Sequence, residues 1–325
     1  MPTNDETLRT ITEPAKRADF VLSSLSTGGE IQPQAAKKFI QLAQNATPLM
    51  AACNMIEMPA KEYHLPRMVF GGPILHAETS ERTEVSSGNR VAPTTSEVVL
   101  TAKEYDGEVD ITYKTLQDNV EAEALENTIL TMIATRVGVD LESLALGSDT
   151  SIVSATPVAR GFAQQDGWLK LITTNTVNAS SAHINKALFE QARTSVPLKY
   201  RQQMQGKYVF FVEEHAGNKW RESISDRMTV GGDAAITSEE LPLVGGTPVK
   251  MVGNMPVTTG TPDVSSVIFT PPKNLILGFW RKVSIRMEDW PSLKCVRIYV
   301  TVRAAFGVEQ EFAASLITNV RATAN

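Results

Sequence analysis

The sequence predicts an α+β protein, and three observations carry that prediction. Apolar residues recur at helical intervals from Leu125 to Leu144. Strands of period two, each with one polar face, fill the end of the chain. Between two strand-like stretches lies a long polar segment, His76 to Glu97, without any core-forming pattern. The 325 residues suffice for about two domains or one large composite one. With 42% hydrophobic and 21% charged residues, the chain has ample material for a packed core.

The elements follow in order. Residues 1–30 hold few apolar side chains and end in Ser26-Thr27-Gly28-Gly29, the pattern of an arm lying on something else. A short helix begins near Pro33, a residue suited to a first turn. Its apolar face is Ala36, Phe39, Ile40 and Ala43, and Thr47-Pro48 closes it. Tyr63 to Phe70 and Glu97 to Tyr113 read as strands; in the second, Val109, Ile111 and Tyr113 alternate with Asp110 and Thr112. No aromatic residue occurs from Gly71 to Glu104. A connection this long is uncommon inside a compact domain. It is either disordered or an extended hairpin whose partners lie on another subunit. Each hairpin arm of about 14 residues would reach about 45 Å at strand rise.

Next comes the clearest helix. Asp118 suits the N-cap, with Glu121 three residues on, and Glu123 and Glu126 complement the positive end. Leu125, Ile129, Met132, Ile133, Val137, Leu141 and Leu144 form its apolar face, and Gly147 ends it. From Asn119 to Leu146 it would run about 42 Å, with Gly138 allowing a bend. Residues 148–270 alternate between helix and strand. Ile184, Leu188 and Ala192 mark a helix stopped before Pro197, and Lys207 to Val212 is a buried strand. Glu213-Glu214 open a helix with Ala216, Trp220, Ile224 and Met228 on one face. Gly231-Gly232 and Gly245-Gly246 bracket a loop-rich segment, Val230 to Thr247. At the end, Val283, Ile285 and Met287, then Val296, Ile298, Val300 and Val302, alternate with polar residues, and Val308, Phe312, Ala314 and Leu316 continue the style. Such strands predict a sheet exposed on one side.

Chemistry is hard to find in this sequence. His64, His76, His183 and His215 show no metal-binding spacing, and Cys53 and Cys295 lie far apart, as two small buried residues of a reduced protein would. No phosphate loop, dinucleotide fingerprint or nucleophile elbow occurs. The pair Glu239-Glu240 reads as solvated, and four scattered tryptophans read as core anchors. With 31 basic against 36 acidic residues, net −5, the chain lacks the positive field that tight nucleic-acid or anionic-membrane binding needs. The polar start and the short apolar runs predict a soluble, intracellularly made protein without a bilayer span. No enzyme, cofactor or metal is predicted. What remains is geometry: an arm, a projecting hairpin, a long helix, a mixed domain and a long-stranded sheet. Arms and hairpins of this kind are satisfied when donated to neighbours, as in a multi-subunit shell.

In order and spacing these features resemble the major capsid proteins of tailed double-stranded DNA bacteriophages, with the Hong Kong 97-like (Johnson) fold. The resemblance runs from about Gly28 to Val320. It rests on Gly29-Glu30-Ile31-Gln32-Pro33-Gln34, Ala46-Thr47-Pro48-Leu49 and Gly167-Trp168-Leu169-Lys170-Leu171-Ile172. Further along, Leu243-Val244-Gly245-Gly246-Thr247-Pro248-Val249, Asn254-Met255-Pro256 and Val267-Ile268-Phe269 to Leu277-Gly278 complete it. The implied organisation is an N-terminal arm (1–30), a first helix and the start of a peripheral domain (31–61), and an extended loop (62–105). The peripheral domain with the spine helix (106–147), an axial domain (148–270) and C-terminal peripheral strands (271–325) follow.

The resemblance implies a shell subunit that forms pentamers and hexamers of an icosahedral capsid and encloses double-stranded DNA without reading its sequence. It implies a virion protein assembled in the bacterial cytoplasm, with itself, a portal, a separate scaffold protein and in some cases a decoration protein as partners. The scaffold is separate because only the 1–30 arm precedes the first helix, unless a segment was removed upstream of Met1. Arg82, Glu84 and Arg90 on the hairpin are candidates for contact with Lys282, Arg286 and Glu288 of a neighbour. Gly231, Gly232, Gly245 and Gly246 would lie near the capsomer axis. Some relatives weld their shells through a lysine on the extended loop; none occurs here between Glu62 and Ala102, so a non-covalent shell is expected. An encapsulin-type compartment enclosing enzyme cargo is the alternative on the same fold. An enzyme in 148–270 is a further one, with no convergent polar residues to support it.

Overall fold

The structure, a computed structural model, describes residues 47–70, 74–75, 91–114, 122–153, 156–226, 240–280 and 284–323. The arm, the helix expected from Pro33 and the N-cap Asp118 lie outside them. Thr47-Pro48, expected to close that helix, opens another: α1 (Pro48–Ala52) has Thr47 at its N-cap. Proline is pre-organised for that first position because its amide would have no helical partner there. Strand β1 (Asn54–Met58) follows.

The predicted strands around the hairpin are three. β2 (Glu62–Phe70) pairs antiparallel with β3 (Pro93–Thr101), from Glu62 opposite Thr101 to Phe70 opposite Pro93. The expected second strand breaks at buried Ala102, whose amide donates to the carbonyl of Lys61, and β4 (Lys103–Thr112) then enters a different sheet.

The spine helix is α2 (Ala122–Gly147). Ile133, Ala134, Leu141, Ala145 and Leu146 are buried along it, whereas Met132, expected on the apolar face, is 65% exposed. It lies one position away from Ile133, a rotation of about 100° on a helix. Glu142 is also buried, accepting from Asn254 Nδ2 at 2.5 Å, and burial holds its carboxyl above the usual range. Two short helices, α3 (Pro157–Phe162) and α4 (Trp168–Leu171), return the chain to the core. Gly167 caps α4 where no side chain fits, since a Cβ there would sit 2.7 Å from the carbonyl oxygen of Ala145.

Residues 176–270 build most of a second sheet. Its elements are β5 (Thr176–Asn178), α5 (Lys186–Ser195), α6 (Leu198–Gln203), β6 (Val209–Val212), α7 (Glu214–Ser225), β7 (Val249–Met251) and β8 (Val264–Thr270). All four residues of β6 are buried because both its faces are covered. Val209 and Phe211 join the core shared with the spine helix, while Phe210 and Val212 join a second core with Phe189 and Trp220. Glu213 caps α7 by accepting from the amides of His215 and Ala216. Met228 on that helix's expected face lies outside the described residues.

The chain ends in β9 (Leu275–Trp280), β10 (Ser284–Trp290), β11 (Cys295–Val308) and β12 (Ser315–Arg321). The first sheet runs β1-β9-β11-β10, with β4 on the open side of β11. β11 alternates as expected from Arg297 to Arg303, with Ile298, Val300 and Val302 buried, whereas Val296 is only half-buried. From Ala304 to Val308 both faces are buried. The expected continuation through Phe312 and Leu316 does not hold. A 3-10 turn, Glu311–Ala313, ends the run, and β12 crosses to the second sheet between β5 and β8. Residues 315–321, grouped above with the peripheral strands, therefore belong structurally with the strands of 176–270.

Glu311 fixes that crossing. Its Oε1 accepts from the amides of Thr173 (3.0 Å) and Thr174 (2.9 Å) and from the Thr173 hydroxyl (2.6 Å). Burial pushes the carboxyl up, but these bonds outweigh it and leave the pKa below its ordinary value. The group therefore stabilises the fold above the unfolded carboxylate's pKa, and this is lost as pH falls through the folded one. Glu311→Gln is expected to cost about 1–3 kcal/mol at neutral pH. In urea unfolding, the gap between variant and parent should close on acidification.

Candidate assembly surfaces

The polar face of β10, β11 and β4 is an ordered array. Across the strands, Glu288 faces Arg297 and Arg297 faces Asp110; Arg286 faces Tyr299, which faces Glu108; Thr301 faces Asp106, and Arg303 faces Glu104. Arg297 binds Asp110 bidentately, Nε to Oδ1 at 2.5 Å and Nη2 to Oδ2 at 2.8 Å, and lies 4.9 Å over the ring of Trp290. That pairing holds the Asp110 carboxyl below its usual range. Arg303 repeats the arrangement, with Nε 2.7 Å from Glu104 Oε2 and its guanidinium 4.8 Å over Trp280. Between these two paired rows, Asp106 and Glu108 are exposed and have no partner among the described residues.

Of the residues expected to make contacts, Arg286 and Glu288 stand exposed on this face, two apart on β10. Glu288 accepts from the Trp290 indole at 3.3 Å, and Arg286 has no partner among the described residues. Lys282, Arg82, Glu84 and Arg90 lie outside the described residues, as do Gly231 and Gly232. Gly245 and Gly246 make a tight turn at φ +54° and +79°, closed by two main-chain hydrogen bonds in which the amides of Val244 and Thr247 each donate to the other's carbonyl. The free carboxylates were missed. Their signal was Glu104, Asp106, Glu108 and Asp110 at every second position, which puts four acids on one face of a strand.

The hairpin forms a sheet of its own two strands. Met68 is 72% and Val99 46% exposed, while Leu100 at its root is fully buried. Arg67 moors it, donating from Nη1 to the carbonyl of Glu309 (2.5 Å) and to Gln310 Oε1 (2.6 Å). Gln310 Nε2 in turn donates to the Tyr200 hydroxyl at 2.7 Å. An isolated two-stranded ribbon is marginal in water. At its root Tyr63, Leu65 and Val98 pack with Leu100 on the subunit's own core, whereas Met68 and Val99 gain stability only when something covers them. A groove of about 700 Å³ also runs between β4 and the spine helix, lined by Val109, Ile111, Ile129, Met132 and Val137.

Among the described residues no three His, Cys, Asp or Glu side chains are grouped to hold a metal ion. Cys53 and Cys295 are buried free thiols, and burial pushes the Cys53 thiol up to about 12. No helix among the described residues is long and apolar enough to cross a membrane.

Solved structures that the chain resembles include phage capsids and an encapsulin. The chain superposes on a subunit of the satellite phage P4 procapsid that includes the size determination (Sid) protein, with a TM-score of 0.68, 14% identity and 98% of each chain covered. It matches the capsid of an empty GTA particle at 0.57, with 12% identity and 97% of each chain. The encapsulin SrpI of Synechococcus elongatus PCC 7942 matches at 0.56, with 10% identity, 99% of this chain and 98% of that one. The fold is therefore the Hong Kong 97-like capsid fold. No family model matches the sequence. The putative prophage capsid protein YqbE of Bacillus subtilis (strain 168) is 33% identical over 314 residues, 95% of this chain and 98% of the relative. The chain belongs to this phage capsid protein family, and its role is that of a major capsid protein.

Proposed function

We propose that copies of this chain form the pentamers and hexamers of an icosahedral shell enclosing double-stranded DNA. The relation to a prophage capsid protein over 95% of the chain carries the reading, and the exposed hairpin supports it. The shell is held without covalent welds, the chain itself is not an enzyme, and assembly in the bacterial cytoplasm involves a scaffold protein and a portal. The peripheral region is the first sheet with the spine helix, and the axial region is the second sheet with its helices. Gly245 and Gly246, with Gly231 and Gly232, lie toward the capsomer axis.

Within that shell, Arg82 and Arg90 of one copy meet Asp106 and Glu108 of the next, and Glu84 meets Arg286. Lys282 and Glu288 flank these contacts. Each exposed pair contributes at most about 1 kcal/mol, but the same pair recurs at every symmetric interface and the contributions accumulate. Reversing Arg82 and Arg90 to glutamate should sharply lower the yield of shells in electron micrographs. Adding Asp106→Lys and Glu108→Lys should restore it. Unchanged yield in the first variant would refute the contact. Boiled particles in a denaturing gel should run as single chains; a ladder of linked species would contradict the non-covalent shell. Enzyme cargo in purified particles, in place of DNA, would favour the encapsulin reading.

A further inference from the structure

Three elements of the second sheet's region meet at the end of β12. The loop 179–185 clings to that strand by main-chain bonds. The amides of Ala179 and Ser181 donate to the carbonyls of Thr318 and Asn319, both at 2.9 Å, and the Arg321 amide donates to Ala182 at 3.0 Å. This sets His183 beside Arg321. Helix α7 passes with His215, Lys219 and Glu222 on one face, at i, i+4 and i+7. The rings of His183 and His215 lie 5.9 Å apart, tilted by 46°.

The cluster holds donors without acceptors. His183 Nδ1, His215 Nε2 and Arg321 Nε are shielded from solvent and have no hydrogen-bond partner among the described residues. The charged groups facing His183 are Arg321, Lys219 and Glu222. Glu222 is engaged by Lys219 at 2.7 Å. The nearby carboxylates are committed elsewhere: Glu213 to the first amides of α7, and Asp263 to the amide of Gly260. Arg321 is thus left without a counter-ion among the described residues. Burial, and then the charges of Arg321 and Lys219, hold the His183 imidazole below its ordinary pKa.

Neutral rings with bare nitrogens turned inward would satisfy the histidines, but not the guanidinium. A multi-oxygen anion would satisfy all three, and it would favour the charged form of the His183 imidazole, which burial and the neighbouring cations oppose. We propose that His183, His215 and Arg321 form a binding site for a tetrahedral oxyanion, sulfate or phosphate, whose capture takes up a proton on the His183 imidazole. The site stands on this chain's own residues, independently of any contact between copies.

Calorimetric titration of the purified full-length protein with sodium sulfate, which does not itself titrate near neutrality, tests this. Runs at about pH 6 in two buffers of different ionisation enthalpy report proton uptake. Saturable binding with uptake is expected, weakened about tenfold or more at pH 8. Arg321→Gln should weaken binding by a similar factor, while His183→Gln should reduce the uptake and His215→Gln should weaken binding. Phosphate should compete for the site and acetate should not. No saturable binding, binding indifferent to pH and to these variants, or acetate competing equally would overturn the proposal. Should R321Q fail to fold, the H183Q/H215Q double variant carries the test through its loss of proton uptake.

Discussion

Replacing Trp168 with alanine is expected to remove about 3–5 kcal/mol of folding stability. The indole is fully buried, donates from Nε1 to the carbonyl of Ile276 at 3.2 Å and meets Phe306 edge-on at 6.4 Å. It therefore joins the spine helix's core to two strands of the first sheet. Its backbone cannot follow the cavity inward, because Gly167 is packed against the end of the spine helix and its amide is bonded to Ser148 at 2.8 Å. A domain is typically stable by only about 5–15 kcal/mol, so the variant should sit near the edge of folding. Urea midpoints of the parent, Trp168→Phe and Trp168→Ala should fall in that order. Equal midpoints would mean that this core does not hold the two layers together.

Shortening the hairpin should do the opposite, leaving the fold intact and abolishing the shell. Phe70 and Pro93 are cross-strand partners, so residues 71–92 can be replaced by a two-residue Asn-Gly turn. The ribbon's packing on its own subunit comes from its root, where Tyr63, Leu65, Val98 and Leu100 join a core cluster and Arg67 is moored, and this deletion keeps all five residues. The melting temperature should move by only a few degrees, since about 1 kcal/mol of lost contacts corresponds to a shift of that size. Circular dichroism should be unchanged while electron micrographs show no particles. Normal shells from the shortened chain would deny the hairpin its role between subunits.

The elements were legible where one physical signal dominated. Phe210 and Phe211 lie in an unbroken apolar run that fits a strand covered on both faces. The alternation from Val296 to Arg303 announced a half-exposed strand. The errors fall where tertiary contacts overrule a local pattern. Glu311 turns the chain by bonds to Thr173 and Thr174, which are distant in sequence. The free carboxylates Asp106 and Glu108 were visible as alternation, yet knowing that they lack partners required the register that commits Arg297 and Arg303 to the outer acids. The cluster at His183, His215 and Arg321 was invisible, because nothing in the spacing of those residues says that the chain brings them together.

The central claim is that this chain completes itself only by association with copies of itself. Sedimentation velocity of the freshly purified protein, across a range of concentrations, tests it most directly. The account predicts rings or closed particles far larger than a 35.4 kDa chain, with protection of β2 and β3 amides from hydrogen exchange appearing only in that fraction. A stable single-chain species at every concentration, with those amides already protected, would contradict it.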